Sequence, residues 1–275
     1  MIQNFQYYKP SLGHSWLLVA LMIVGSLVIG LLMPHAPQSV MYLLMMALPV
    51  AWCWWMGNQE ASLAEIRGTK PLPLNAPHFG KLSGVAFFAL AAITLLALTV
   101  VIEPTTSFIP MPDAVKTIFE QVFVNSALWD MVVATCILAP LLEEFLCRGM
   151  MLRGMLAHRM SPAKAILWSA FLFAFMHMNP WQSIPAFLIG IFLGWVYVRT
   201  HCLWATIFLH FLNNSISTVI SRVWPDLPID AGWKDIIPTP AYWFFYIGCV
   251  IIVINFLFIL HEKTLPAQVQ TDLDA

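Results

Sequence analysis

The sequence predicts an all-α, polytopic membrane helix bundle with about eight transmembrane helices. Three observations predict it. Of 275 residues, 60% are hydrophobic and only 10% charged, against about 25% charged in soluble domains. Apolar runs near the length of a bilayer crossing recur along the whole chain. Lys and Arg concentrate in alternate loops. The same composition excludes a soluble globular domain, which needs more polar surface, and a disordered chain, which is poor in apolar residues. A net charge of −1 provides no broad positive field, so no nucleic-acid partner is expected.

Eight runs qualify as spans: Trp16–Met33, Val40–Gly57, Ser83–Ile102, Ser126–Leu142, Ala165–Met178, Trp181–Val198, Leu203–Ile220 and Tyr242–Leu260. The first run is longer than a signal-peptide core and only Lys9 precedes it, so it reads as a retained span. With the N-terminus inside, ten Lys/Arg residues fall on the inner side: Lys9, Arg67, Lys70, Lys81, Arg148, Arg153, Arg159, Lys164, Arg199 and Lys263. Three fall outside: Lys116, Arg222 and Lys234. Both termini are therefore expected in the cytoplasm. Five cysteines lie in or beside apolar runs, which argues against a disulfide framework.

Other features read as architecture. Trp52, Trp54, Trp55, Trp181, Trp204 and Trp243 sit near span ends, as interfacial belts do. Gly190 and Gly194 share one helix face and suit close helix packing. Pro225, Pro228, Pro238 and Pro240 mark an irregular outer loop, and the tail from Glu262 is polar. Three regions follow: 1–125, with spans one to three and an outer interfacial loop; 126–220, a core of spans four to seven; and 221–275, an outer loop, the last span and a cytoplasmic tail.

Ionisable groups deep in a bilayer cost several kcal/mol and tend to be functional. Among the histidines and carboxylates, Glu143, Glu144, His177 and His210 stand out at that depth. Asn214 follows His210 by four residues, on the same helix face, whereas Asn213 points about 100° away. Glu143 and His177 each lie seventeen residues from position 160, where Arg159–Pro162 signals a turn. Antiparallel neighbours then place Glu143 beside His177. His210 reaches the same level if the hairpin projects into the cytoplasm by roughly ten ångströms, with Arg153, Arg159 and Lys164 keeping it soluble.

Local spacing suggests roles. Glu144 and Arg148 are ordered for a helical ion pair, leaving Glu143 free to act. Desolvation makes a carboxylate a better proton acceptor, which suits a general base. Phe173, one turn before His177, can pack beneath the imidazole. His210 and Asn214 can donate to one small anionic target, as an oxyanion hole requires. The bland alternatives are a structural ion pair at Glu144–Arg148 and imidazoles that serve as packing hydrogen bonds.

At these residues the sequence resembles the CPBP family of CAAX proteases and bacteriocin-processing enzymes, also called the Abi family. EExxxR appears as Glu143-Glu144-Phe145-Leu146-Cys147-Arg148, FxxxH as Phe173 to His177, and HxxxN as His210 to Asn214. The resemblance implies intramembrane proteolysis of a membrane-associated peptide or protein. Glu143 and His177 would activate water, His210 and Asn214 would stabilise the oxyanion, and Glu144, Arg148 and Phe173 would support them. Family members are often named metalloproteases. Glu143, His177 and His210 could supply three zinc ligands, yet no HExxH helix exists, so a metal-free glutamate mechanism and a bound Zn both stay open. The cavity is expected among spans four, five and seven, open to the cytoplasm, in a bacterial inner membrane. Two other function classes use such residues: a non-catalytic bacteriocin-immunity or scaffold protein, and a proton-coupled transporter. The chain lacks the paired broken helices and internal symmetry common in carriers.

Overall fold

The apolar runs fold as helices, and no strand occurs among the described residues, which are 2–264 without 108, 124, 125, 225 and 229 of the computed structural model. Pro225 and the tail beyond residue 264 thus lie outside them. A short 3-10 helix, Ile2–Gln6, precedes α1 (Leu12–Leu32), α2 (Gln38–Arg67) and α3 (Gly84–Ile102). The amphipathic α4 (Asp113–Phe123) follows, then a continuous helical rod over residues 128–157. α5 (Pro162–Phe175), α6 (Pro180–Thr200), α7 (Leu203–Val223) and α8 (Ala241–Lys263) complete the bundle. α1 packs on α2, α8 on α3, and α6 on α5.

Six of these helices, rather than eight, are long and apolar enough to cross a membrane: α1, α2, α3, α6, α7 and α8. The other two expected spans are unusual for physical reasons. The rod contains Pro140, which cannot donate an amide proton, and it adopts π-helical turns over Val132–Leu138 and Phe145–Leu152. α5 has only 14 residues. At about 1.5 Å per residue it covers roughly 21 Å, short of a hydrocarbon core of about 30 Å. The turn that follows it, which carries His177, therefore falls at membrane depth. Irregular backbone is tolerated there only where protein buries it or a water-filled cavity meets it.

Large apolar side chains face outward, among them Leu31 (82% exposed), Val85 (83%) and Phe244 (76%), as expected of a lipid-facing surface. α2 runs beyond Gly57 to Arg67, and the N-terminal segment lies against Gly57, where a β-carbon would come within 2.6 Å of the Asn4 carbonyl oxygen. Gly190 does pack closely: its β-carbon would sit 3.2 Å from Ala170 Cα, drawing α6 onto α5. All five cysteines are buried and unpaired.

Arg153 does not solubilise a projecting hairpin, as the sequence suggested. It is 3% exposed. Its guanidinium donates to the carbonyls of Gln6 (3.2 Å), Leu72 (2.7 Å), Phe5 (3.2 Å) and Tyr8 (2.6 Å), and its Nε donates to Gly149 (2.6 Å). These carbonyls belong to irregular chain with no helical partners to offer, so one buried cation satisfies them together. The same end of the bundle is stitched further. His78 N donates to Thr200 O (2.8 Å), Lys81 N to Lys263 O (2.9 Å), and Tyr197 Oη to Leu74 O (3.0 Å). This is the end that holds the N-terminus and the last turn of α8.

Arg153→Met should therefore lower stability by about 3 kcal/mol or more, because each orphaned buried carbonyl costs about 1–3 kcal/mol. Thermal unfolding of the detergent-solubilised protein measures this. Arg153→Lys, which keeps the charge but not the fork, should fall between the two.

Candidate active site

The rod positions the carboxylates in a short α-helical stretch, Ala139–Glu144, between its two π-helical ones. Ala139 N–H bonds back five residues to Ala134 O. In that pattern the next carbonyl, Thr135 O, would need the amide of residue 140, which is proline. The freed carbonyl accepts instead from Asn214 Nδ2 of α7, at 2.8 Å. A backbone defect written by Pro140 thus becomes the docking point for a side chain of another helix.

Glu144 and Arg148 form the expected pair, 2.7 Å apart and both fully buried. The pair is not only local. Arg148 Nη2 donates to Gly190 O of α6 (2.9 Å), and its guanidinium lies 4.9 Å from the Phe173 ring centre of α5. Glu144 Oε1 also accepts from His210 Nδ1 of α7 at 3.0 Å. One ion pair therefore joins the rod to α5, α6 and α7.

Both imidazoles are oriented through Nδ1. His177 Nδ1 lies 3.0 Å from Phe173 O, and a carbonyl can only accept, so Nδ1 carries the proton. The same reasoning holds for His210 Nδ1 against Glu144. Each ring then presents Nε2 elsewhere. His177 is not inside a span: α5 ends at Phe175, and His177 sits in the following turn, held by His177 N to Ala174 O (3.1 Å) and Asn179 Nδ2 to His177 O (2.8 Å). Phe173 is packed edge-on to both rings, with centroids 5.2 Å from His177 and 5.5 Å from His210.

Glu143 departs from expectation. It makes no ion-pair contact with His177. Its nearest imidazole is His210, with Oε2 to Nε2 at 3.8 Å, too long for a direct hydrogen bond. Its close partner is Tyr42 of α2, whose hydroxyl donates to Oε1 at 2.5 Å. α2 is set in register by Asp130 of the rod, which accepts from Gln38 N (2.7 Å) and Ser39 N (3.0 Å) in place of a local cap, the preceding residue being Pro37. Sequence reasoning gave the first three spans no role. The available signal was a phenol in an apolar helix, which needs a polar partner once buried. Asn213, set aside by helical phase, also reaches the site and donates from Nδ2 to Asn214 Oδ1 (3.1 Å). Asn214 therefore has its oxygen engaged and one amide hydrogen committed to Thr135.

Glu143, His177, His210 and Asn214 line one cavity of about 510 Å³, together with Tyr42, Phe173 and Asn213. Its other walls come from α3 (Thr99, Ile102), α6 (Trp181, Pro185, Ile189) and the 231–236 loop, so it is wider than the three-span site expected. Trp181 is a cavity wall here, with its Nε1 donating to Ile109 O (3.1 Å). Below Glu143 the rod is sealed: Leu146, Cys147, Met150 and Met151 are 0% exposed. The cavity leads away from the termini, towards the end that carries Glu103 and Gly232. Cytoplasmic termini and a cytoplasmic opening were both expected, and this geometry does not allow both. The reason is Arg153, which draws the N-terminal segment across the other end of the rod.

The sequence left a three-ligand zinc site open. Two imidazoles anchored through Nδ1 resemble metal ligands in orientation. However, no three His, Cys, Asp or Glu side chains among the described residues converge on a common ion position. The donor set does not fit a three-ligand zinc site.

Residues 125–216 match the family described as Type II CAAX prenyl endopeptidase Rce1-like. The match covers about a third of the chain and includes every motif residue from Glu143 to Asn214. This segment is thus similar to the Rce1-like family, in keeping with the CPBP resemblance carried by the three motifs. No curated protein matches the chain, and no solved structure does.

Removing one partner of the buried pair should be far costlier than neutralising Glu143. Arg148→Met is expected to destabilise by about 3–5 kcal/mol, because it strands the Glu144 charge. Glu143→Gln should stay within about 1 kcal/mol of wild type, since it keeps an acceptor for Tyr42. Melting curves of the two purified variants, run side by side, check the contrast.

Proposed function

We propose that the chain is an intramembrane endopeptidase of the CAAX type, which hydrolyses a peptide bond in a membrane-associated peptide or protein. The observation that carries this reading is the gathering of Glu143, His177, His210 and Asn214 around one cavity within the Rce1-like segment. Each residue has a role that its surroundings support. Glu143 accepts the proton of a water molecule, with Tyr42 fixing the carboxylate so that Oε2 faces the cavity. His177, its Nδ1 tied to Phe173 O, offers Nε2 to the same water. The water oxygen adds to the scissile carbonyl carbon. His210, tied through Nδ1 to Glu144, and the remaining amide hydrogen of Asn214 hold the resulting oxyanion. Glu143 then returns its proton to the amine nitrogen as the carbon–nitrogen bond breaks. Glu144, Arg148 and Phe173 hold these groups in place, and no step passes through a metal.

The motifs suit a bacterial inner-membrane protein, and the Lys/Arg distribution suits both termini in the cytoplasm. Processing of a peptide precursor, or self-immunity to a peptide toxin, are the functions we favour. The region 126–220 would be the catalytic core, with the flanking spans as its frame.

Comparative peptide profiling of cells with wild-type or variant protein tests the reading. Glu143→Gln, His177→Ala and His210→Ala should each abolish the cleavage products while the protein still inserts. Indistinguishable peptide pools at equal protein levels would remove the protease assignment and favour a scaffold. Tyr42→Phe should keep the fold but slow cleavage about tenfold or more, the loss expected for one hydrogen bond to a charged group, about 1.5–3 kcal/mol.

A further inference from the structure

The catalytic cavity is not closed at its far end. It continues into a second, larger space of about 870 Å³, and the two share walls at Glu103, Trp181, Gln182, Ser217, Ile220 and Ile236. That outer space lies under α4 and a loop, the 230–236 segment, with Leu227 and Pro228 also on its wall. The loop is fastened on both sides: Trp233 N donates to Glu103 Oε2 at 3.1 Å, and Lys116 of α4 pairs with Asp230 at 2.7 Å. The opposite end of the rod is closed by buried side chains and by the carbonyls gathered on Arg153. A peptide thus has a route to Glu143 from the loop end and none along the rod from the end with the termini.

Charge assigns the sides. Of the ten Lys/Arg residues at the terminus end, Arg148, Arg153 and Arg199 are buried. Seven still stand against three at the loop end, so the loop end is the non-cytoplasmic one. We propose that the substrate is a peptide presented on the non-cytoplasmic side of the membrane, which threads between α4 and the 230–236 segment to reach Glu143. The proposal rests on the protease reading above and adds to it the side and the path of the substrate.

Three single-cysteine reporters test it, with the five buried native cysteines left in place. Lys234→Cys lies on the vestibule wall, Asp226→Cys at the same end outside it, and Lys81→Cys at the terminus end. Intact cells are treated with a bulky, membrane-impermeant maleimide, and peptides that depend on Glu143 are then profiled. Positions 234 and 226 should label in intact cells, and position 81 only after permeabilisation. Labelling at 234 should abolish the Glu143-dependent products, whereas labelling at 226 leaves them. Ala231→Cys, which lines both spaces, serves as a second vestibule reporter should Lys234→Cys accumulate poorly. The opposite labelling pattern overturns the side, and undiminished products after full labelling at 234 and 231 overturn the path. A wild type with no Glu143-dependent products removes the protease reading itself, and this proposal with it, whichever end labels.

Discussion

A guanidinium and a carboxylate, both shut off from solvent, hold the site together. Arg148 spends its donors on Glu144 and on Gly190 O, and its face rests against Phe173. Glu144 in turn orients His210. Burying two charges is expensive, and an apolar replacement of the same shape often serves stability equally well. What the pair supplies here is placement. It fixes the relation of four helices at the level where their polar side chains meet, and it leaves Glu143, one residue earlier, pointing into the cavity.

The backbone around the site is irregular, and each irregularity has a use. Pro140 interrupts the rod and releases Thr135 O, which anchors Asn214. The second π-helical stretch exposes carbonyls that take Ser169 Oγ at Cys147 (2.9 Å) and Arg153 Nε at Gly149 (2.6 Å). α5 stops early, so His177 sits on a turn rather than on a helix wall. Such departures from α-helix cost free energy in lipid and persist where side chains from neighbouring helices satisfy the freed groups. The catalytic residues we assign thus stand at the places where the helical ladder is broken.

Closure of one end of the bundle and opening of the other have a common origin. The N-terminal segment and the 68–83 loop wrap the terminus end, fastened to Arg153 and to the ends of α6 and α8. At the far end, α4 and the 230–236 segment line a space instead of filling it. The result is a funnel with a sealed floor, the shape that the proposed peptide hydrolysis would need.

The sequence by itself determined the helical membrane class, the ion pair and the identity of the polar residues. Composition and run length decide the solvent, a spacing of four residues decides Glu144–Arg148, and the three motifs mark Glu143, His177, His210 and Asn214. These are local properties, legible along one strand of text. Tertiary structure alone decided who touches whom. Tyr42 meets Glu143 from a position 101 residues away, Arg153 is a buried hub instead of a surface charge, and the cavity opens opposite the termini. Helical periodicity places a side chain on a face but carries no information about the neighbour that face will meet. Partner, depth and direction of opening follow from how helices of unequal length and broken pitch pack, which no single stretch of the chain encodes.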